Sequence, residues 1–349
     1  MNAGLLDGVR VLDLTIWRPG PYATQLLAEI GADVIKVEPP GGDPMRAFPE
    51  LFASLSANKR SIVLDLKSDA GRSRALALAR DADVVVEGWR PGVAARLGVG
   101  VDDVRAVNPT VVYCSLSGLG QDGPLVDAPG HDLSYLAWAG SLSPEGGSPR
   151  EPAIPVADLS GGMAAALGVC AALIRKLRTG EGDYVDAAMT DVLATWTGSA
   201  SPRPTADSGG GRGVPGYGTF ASADGGHLTL SVLTEDHFWR AVCTTLGLDD
   251  VAALSFAERM ARTDELQSAI SAAIVERKRD ELSDALLAAG APCAPVLDRA
   301  AMLRLAQFQA RGVVVDGETQ YPIRFRDHPA ARVTPPPEID QHAGATWLT

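Results

Sequence analysis

The sequence predicts an α/β protein, with a parallel, doubly wound sheet in a large N-terminal domain and a smaller α+β domain after it. Three observations carry this. Short apolar runs alternate with helical patterns over the first 120 residues, as happens when parallel strands are joined by crossover helices. A stretch rich in Gly, Pro and Ser at 196–218 breaks the pattern, which marks a linker. Beyond it, a hairpin and a run of helices replace the alternation. With 349 residues the chain is long enough for two cores.

The elements follow in order. VRVLDL (9–14) and ADVIKVEPP (32–40) are strand-like and flank PGPYATQLLAEIG (19–31), whose spacing is helical. Pro21 suits a helix first turn and Gly31 a helix stop. SIVLDL (61–66), DVVVEGW (83–89) and TVVYCSLS (110–117) continue the sheet, with helices around 69–81 and 92–106. Asp158 opens the longest helical pattern, which runs to Gly180. In the second domain TFASADGGHLTLSV reads as a hairpin turning at Ala223–Gly226, and helices are expected over 236–246, 264–276 and 278–289, then a short strand in GAPCAPV. The expected boundaries are 1–195 for the large domain, 196–218 for the linker and 219–324 for the small domain. The Pro-rich tail, about 325–349, is expected to return to the large domain. No internal repeat emerges.

Charge narrows the ligand class. A net charge of −12 argues against nucleic-acid binding. Residues 1–100 nonetheless carry as many basic as acidic side chains, so a polyanionic small ligand should favour the N-terminal part. Cys114, Cys170, Cys243 and Cys293 are far apart and form no CxxC pair, which reads as buried free thiols. No Cys or His cluster has metal-ligand spacing, so neither a metal nor a cofactor is expected. With no secretory signal and no run of about 18 uninterrupted apolar residues, the expected location is the cytoplasm, away from membranes.

Two glycine-containing loops invite a ligand reading. Gly118-Leu-Gly120-Gln-Asp-Gly123 follows a strand as a dinucleotide fingerprint would, but Pro124 follows it and it lies far from the first βα turn, so a glycine turn is preferred. At that first turn stands Trp17-Arg18-Pro19-Gly20-Pro21, either a rigid turn or a ligand contact.

GPYATQLLAEIGADVIKVEPPGGDPMR, NKRSIVLDLKSDAGR, DVVVEGWRPGVAARLG and SLSGLGQDGP, in this order, resemble the α-methylacyl-CoA racemase and class III CoA-transferase (CaiB/BaiF) family over nearly 200 residues. The resemblance implies a Rossmann-like large domain, two chains interlinked as rings in a homodimer, and an acyl-coenzyme A thioester as substrate. It places coenzyme A at Leu64, Asp65, Lys67, Gly88, Trp89, Arg90 and Arg96. Cations can pair with its phosphates and an aromatic face can stack on its adenine. Where racemases often carry an arginine after the second strand, this chain has Pro39, so a phosphate contact is either missing or moved to Lys36.

The block Gly130-His131-Asp132, with Tyr135 after two intervening residues, resembles the racemase branch. Gly130 and Tyr135 are counted with the coenzyme A contacts. Asp158 has a bland role as the N-cap of the long helix and, by resemblance, a catalytic one in both branches. Gly161 and Gly162 would let a thioester oxygen approach the helix. Glu235, in SVLTEDHFW, lines up with a racemase glutamate, whereas His237 reads as a surface bystander. Racemisation of 2-methylacyl-CoA by a 1,1-proton transfer is the first expectation: His131 and Asp158 face each other across the α-carbon, and Asp132 and Glu235 orient them. The alternative is a class III CoA-transferase with Asp158 as nucleophile. A non-catalytic coenzyme A-binding protein is the third.

Overall fold

The computed structural model describes residues 4–142, 149, 151–199, 213–331 and 333–348. The chain forms two compact units, one of residues 1–144, 149–201 and 320–349 and the other of 145–148 and 202–319. Much of the expected linker, 200–212, lies outside the described residues.

The first unit is built on six parallel strands: β1 (Arg10–Asp13), β2 (Asp33–Glu38), β3 (Arg60–Val63), β4 (Val84–Glu87), β5 (Val112–Ser117) and β6 (Tyr184–Ala188). Their order, β3-β2-β1-β4-β5-β6, is that of a doubly wound sheet. The order reverses between β1 and β4, which pair through Val11 with Val84 and Asp13 with Val86. β4 and β5 are buried at every residue, as expected of strands covered on both faces, whose sequences read as continuous apolar runs.

The helices are α1 (Pro19–Glu29), α2 (Pro49–Ser56), α3 (Asp69–Arg80), α4 (Val93–Arg96), α5 (Val101–Val107), α6 (Asp132–Trp138), α7 (Val156–Thr179) and α8 (Met189–Ser199). The single helix expected over 92–106 is therefore two, separated by Gly98 and Gly100. α7 packs on α1 and across β5 and β6. A Cβ at Gly162 would lie 2.6 Å from the Pro19 carbonyl oxygen, so only glycine lets the two helices approach this closely. α7 is also long and apolar enough to cross a membrane by length and composition, and half of its most apolar window is buried.

Two core layers sandwich the sheet. On one side Leu26, Leu27, Val84, Val112, Ala165 and Val169 are buried together; on the other Leu12, Ile35, Leu78, Val85 and Tyr113. The tail joins the second layer: Trp347 packs there and donates from its indole nitrogen to the Leu78 carbonyl (3.0 Å). Val63 N–H donates to Asp340 (2.8 Å), and Arg60 reaches the Thr346 carbonyl (2.7 Å).

The second unit holds a three-stranded antiparallel sheet, β7 (Tyr217–Ala221), β8 (His227–Ser231) and β9 (Cys293–Pro295), with α9 (Asp236–Leu246), α10 (Phe256–Ala261), α11 (Thr263–Val275) and α12 (Arg279–Ala288). Its core gathers Trp239, Val242, Leu266, Ile270 and Leu286. The four cysteines are free, but only Cys114 and Cys243 are fully buried.

Candidate active site

Parallel sheets place ligands at the carboxyl ends of strands where the strand order reverses. Here that position holds a cavity of about 630 Å³, lined by Trp17 and Arg18 after β1, Gly88, Trp89 and Arg90 after β4, Gly118 and Gly120 after β5, and His131, Asp132, Tyr135 and Asp158. A second cavity of about 460 Å³ is lined by Leu64, Asp65, Lys67 and Pro39 and shares Ile16 and Trp89 with the first.

Asp158 sits in the first turn of α7, two residues inside the helix rather than at its cap; Pro155 holds the cap position. The expected N-cap role is therefore overturned, because Pro155-Val156 already begin the turn. The cap bond is supplied by Asp132, at the start of α6, whose carboxylate accepts the Asp158 N–H (2.9 Å). Among the described residues the Asp158 carboxylate makes no hydrogen bond or ion pair. Burial and the nearby Asp132 charge push its carboxyl up to about 6, while Arg18 and His131 pull the other way. Gly161 and Gly162 do not open the helix to a thioester oxygen as expected. They lie beyond the helix's first four N–H groups, the only ones without partners inside the helix. Their missing side chains serve packing instead, Gly161 against Met189 and Gly162 against Pro19 and Tyr22.

His131 occupies the N-cap position of α6 with no cap bond from its side chain, so the exposed imidazole is uncommitted. Tyr135, nearly buried, spends its hydroxyl proton on the Gly130 carbonyl (2.7 Å). Its ring fills the space a Cβ at Gly118 would need. Gly118 is thus a packing glycine for Tyr135, and Gly120 and Gly123 sit at φ 84° and 93°, so the GxGxxG spacing has a structural explanation.

Lys36 is wholly buried, ion-paired to Asp43 (2.7 Å) and hydrogen-bonded to the Thr15 carbonyl (2.8 Å). It cannot reach a ligand phosphate, which overturns the expectation that the contact had moved there: β2 lies inside the sheet with its side chains covered on both faces. Lys67 and Arg90 are exposed and line the cavities. Arg96 is exposed at the end of α4 and lines neither cavity. Glu235 belongs to the second unit, at the N-cap position of α9, where its carboxylate accepts the Leu233 N–H (3.1 Å). The sheet thus brings together His131, Asp132, Asp158, Tyr135, Gly130, Gly88, Trp89 and Arg90 in one cavity and Leu64, Asp65 and Lys67 in the next. The Trp17–Pro21 loop, read from the sequence as a rigid turn or a ligand contact, brings Trp17 and Arg18 to the first cavity, and Phe48 and Leu51, which no motif distinguishes, line it too.

The fold and the cavity define a doubly wound α/β protein with an ionisable, uncommitted carboxylate at its switch point. The chain belongs to CoA-transferase family III, which it matches over residues 6–343. It is 33% identical over 375 residues to a succinate–glutarate CoA-transferase of Agrobacterium fabrum, covering 97% of this chain and 93% of the relative. It is 32% identical over 337 residues to an acetyl-CoA:oxalate CoA-transferase of Acetobacter aceti, covering 89% and 86%. Among solved structures, a CaiB/BaiF family protein from Brucella suis superposes with a TM-score of 0.86 at 28% identity, over 98% of each chain. Both enzyme relatives bear transferase names, so racemisation, the first expectation, has no support from them.

Proposed function

We propose that this chain is a CoA-transferase that moves coenzyme A from an acyl-CoA thioester to a second carboxylic acid, with Asp158 as nucleophile. The observation that carries this reading is the Asp158 carboxylate itself: it lines the cavity, makes no capping bond and titrates near 6. It is therefore largely ionised at neutral pH and still basic enough to attack. An Asp158 oxygen adds to the thioester carbonyl, the C–S bond breaks, and coenzyme A leaves as thiolate, giving a mixed anhydride. The thiolate then attacks the aspartyl carbonyl, releasing the donor acid as carboxylate and leaving an aspartyl thioester. The acceptor carboxylate attacks that thioester, and the same two exchanges in reverse order deliver its CoA thioester and restore Asp158. Each exchange trades one acyl bond for another, so no oxidant or net proton is required.

Coenzyme A is assigned to the second cavity, with phosphates near Lys67, Asp65 and Leu64 beside them, and its thiol end passing Trp89 into the first cavity near Gly88 and Arg90. Arg96 supplies longer-range charge. Acids of the kind in the relatives' names, such as oxalate or glutarate, are the proposed acceptors. Transfer of CoA to such an acid tests the reading directly, and its absence with every acid tried would remove it.

Racemisation is kept as a second reading because His131 and Asp158 line the same cavity and each offers a proton carrier. It predicts exchange of the α-proton of a 2-methylacyl-CoA in deuterated water, lost in His131→Ala; a transferase predicts that His131→Ala is nearly silent. Glu235 is retained only within this reading.

A homodimer is also proposed. Met163, Leu167, Ile174 and Leu177 on α7 are 49%, 73%, 50% and 84% exposed at helical spacing, an apolar face that a second chain would cover. If the chains interlink, sedimentation should show monomer only together with loss of helical signal. A folded monomer on dilution would exclude interlinking.

A further inference from the structure

Arginines in the first unit that are shielded from water are mostly committed: Arg46 forks onto Glu38, Arg60 onto Asp33, and Arg74 bonds the Ala345 carbonyl. Arg18 differs. It is half-buried and lines the Asp158 cavity, yet among the described residues its guanidinium makes no hydrogen bond or ion pair. Desolvated donors without partners are unfavourable.

The backbone that presents it is held on purpose. Trp17, just before it, sits at φ 64°, a left-handed conformation that a bulky side chain rarely adopts. The preceding residues are clamped: Asp13 accepts the Thr15 N–H (2.9 Å) and hydroxyl (2.5 Å), and buried Lys36 donates to the Thr15 carbonyl. Pro19 then starts α1. A strained, buttressed loop that aims an unpaired guanidinium into a cavity is a device for receiving an anion with fork geometry.

We propose that Arg18 is a specificity-determining residue that receives the second carboxylate of a dicarboxylic acid while the first reacts at Asp158. This rests on the transferase reading and assigns its acid specificity to one side chain. Arg90, also in the cavity but exposed, is left to the thioester donor. A monocarboxylic acid of the same length fills the site but leaves the Arg18 fork unpaired, so discrimination comes from the unspent donors.

The experiment compares succinate with butyrate and glutarate with pentanoate as CoA acceptors, at pH 8, where Asp158 is ionised in every variant. Wild type should favour each diacid over its monoacid. Arg18→Gln should lower kcat/KM for the diacids by about 10- to 100-fold, chiefly through KM, and leave the monoacids within about twofold; Arg18→Lys should fall between. Arg90→Gln should raise KM for the donor without changing the diacid-to-monoacid ratio. Equal losses for both acid classes would overturn the proposal and make Arg18 only an electrostatic neighbour of Asp158, visible as a shifted acid limb. Should no acid of either class accept CoA, the transferase reading fails. Calorimetric binding of glutarate and pentanoate then decides Arg18: tighter glutarate binding lost in Arg18→Gln upholds it as a carboxylate receptor, and indifference overturns it.

Discussion

Around the first βα turn, Asp13, Lys36, Asp43 and Lys59 are all buried and all paired: Lys59 with Asp13 (3.1 Å), Lys36 with Asp43 (2.7 Å), and Asp13 also with the Thr15 and Thr24 hydroxyls. In the cavity at the sheet's carboxyl end, Arg18, Arg90, His131 and Asp158 have no side-chain bond among the described residues. Burial opposes the Asp13 charge, but Lys59, Lys36 and the two hydroxyls outweigh it and bring its carboxyl down to about 2. At Asp158 burial prevails, and Asp132 adds to it. The same residue type is thus fixed as a structural anion in one place and kept reactive in the other, and the difference lies in whether its partners are supplied by the fold or left for a ligand.

The largest expected effect is on Asp158. Asp158→Asn should cut transfer by at least about a thousandfold, because the nucleophile is gone. It should also stabilise the protein at neutral pH by on the order of 1–2 kcal/mol after discounting for partial exposure. The carboxyl's folded value lies above its unfolded one, so its charge opposes folding increasingly as pH rises from about 4 to 6. Denaturant midpoints should therefore separate above pH 6 and converge below pH 4.

Asp13→Ala should do the opposite to stability, costing about 3–5 kcal/mol by stranding Lys59 in the interior. Since the Asp13 carboxyl is depressed, its contribution is present above about pH 4 and lost as pH falls towards 2. Thermal melts across pH should show this in wild type and not in the variant.

A smaller effect concerns pH and rate. Transfer should fall on the acid side with a midpoint near 6, the value at Asp158, in kcat/KM measured between pH 5 and 8. Smallest is the ligand's own electrostatics: reversing Lys67 and Arg96 together should weaken coenzyme A binding by roughly tenfold, less at high salt, with unchanged melting temperature. Calorimetry at two ionic strengths measures it.

The doubly wound sheet is legible in the sequence because β4 and β5 are buried at every residue and β1 and β2 keep short runs of Val, Leu and Ile between their charged residues. β6 is not: YVDAA carries Asp186, and only Ala187 and Ala188 of its five residues are fully buried. α2 is hidden because GGDPMRAFP surrounds its start with turn residues. In the site, the resemblance points to Asp158 and His131, but the cap assignment fails because an aspartate before an apolar run looks the same at the cap as two residues inside it. Lys36 and Arg18 show the deeper limit. Both are cations near a strand end, and only the packing of β2 against its neighbours reveals that one is spent inside the fold and the other is open to a ligand.

Everything in the transferase mechanism turns on Asp158 carrying coenzyme A covalently. The most direct measurement is mass spectrometry of the protein quenched while incubated with an acyl-CoA donor and no acceptor acid. The mechanism predicts a coenzyme A adduct on the peptide containing Asp158, absent in Asp158→Asn and discharged when an acceptor acid is added. An unmodified Asp158 peptide under those conditions, with α-proton exchange that depends on His131, would contradict it.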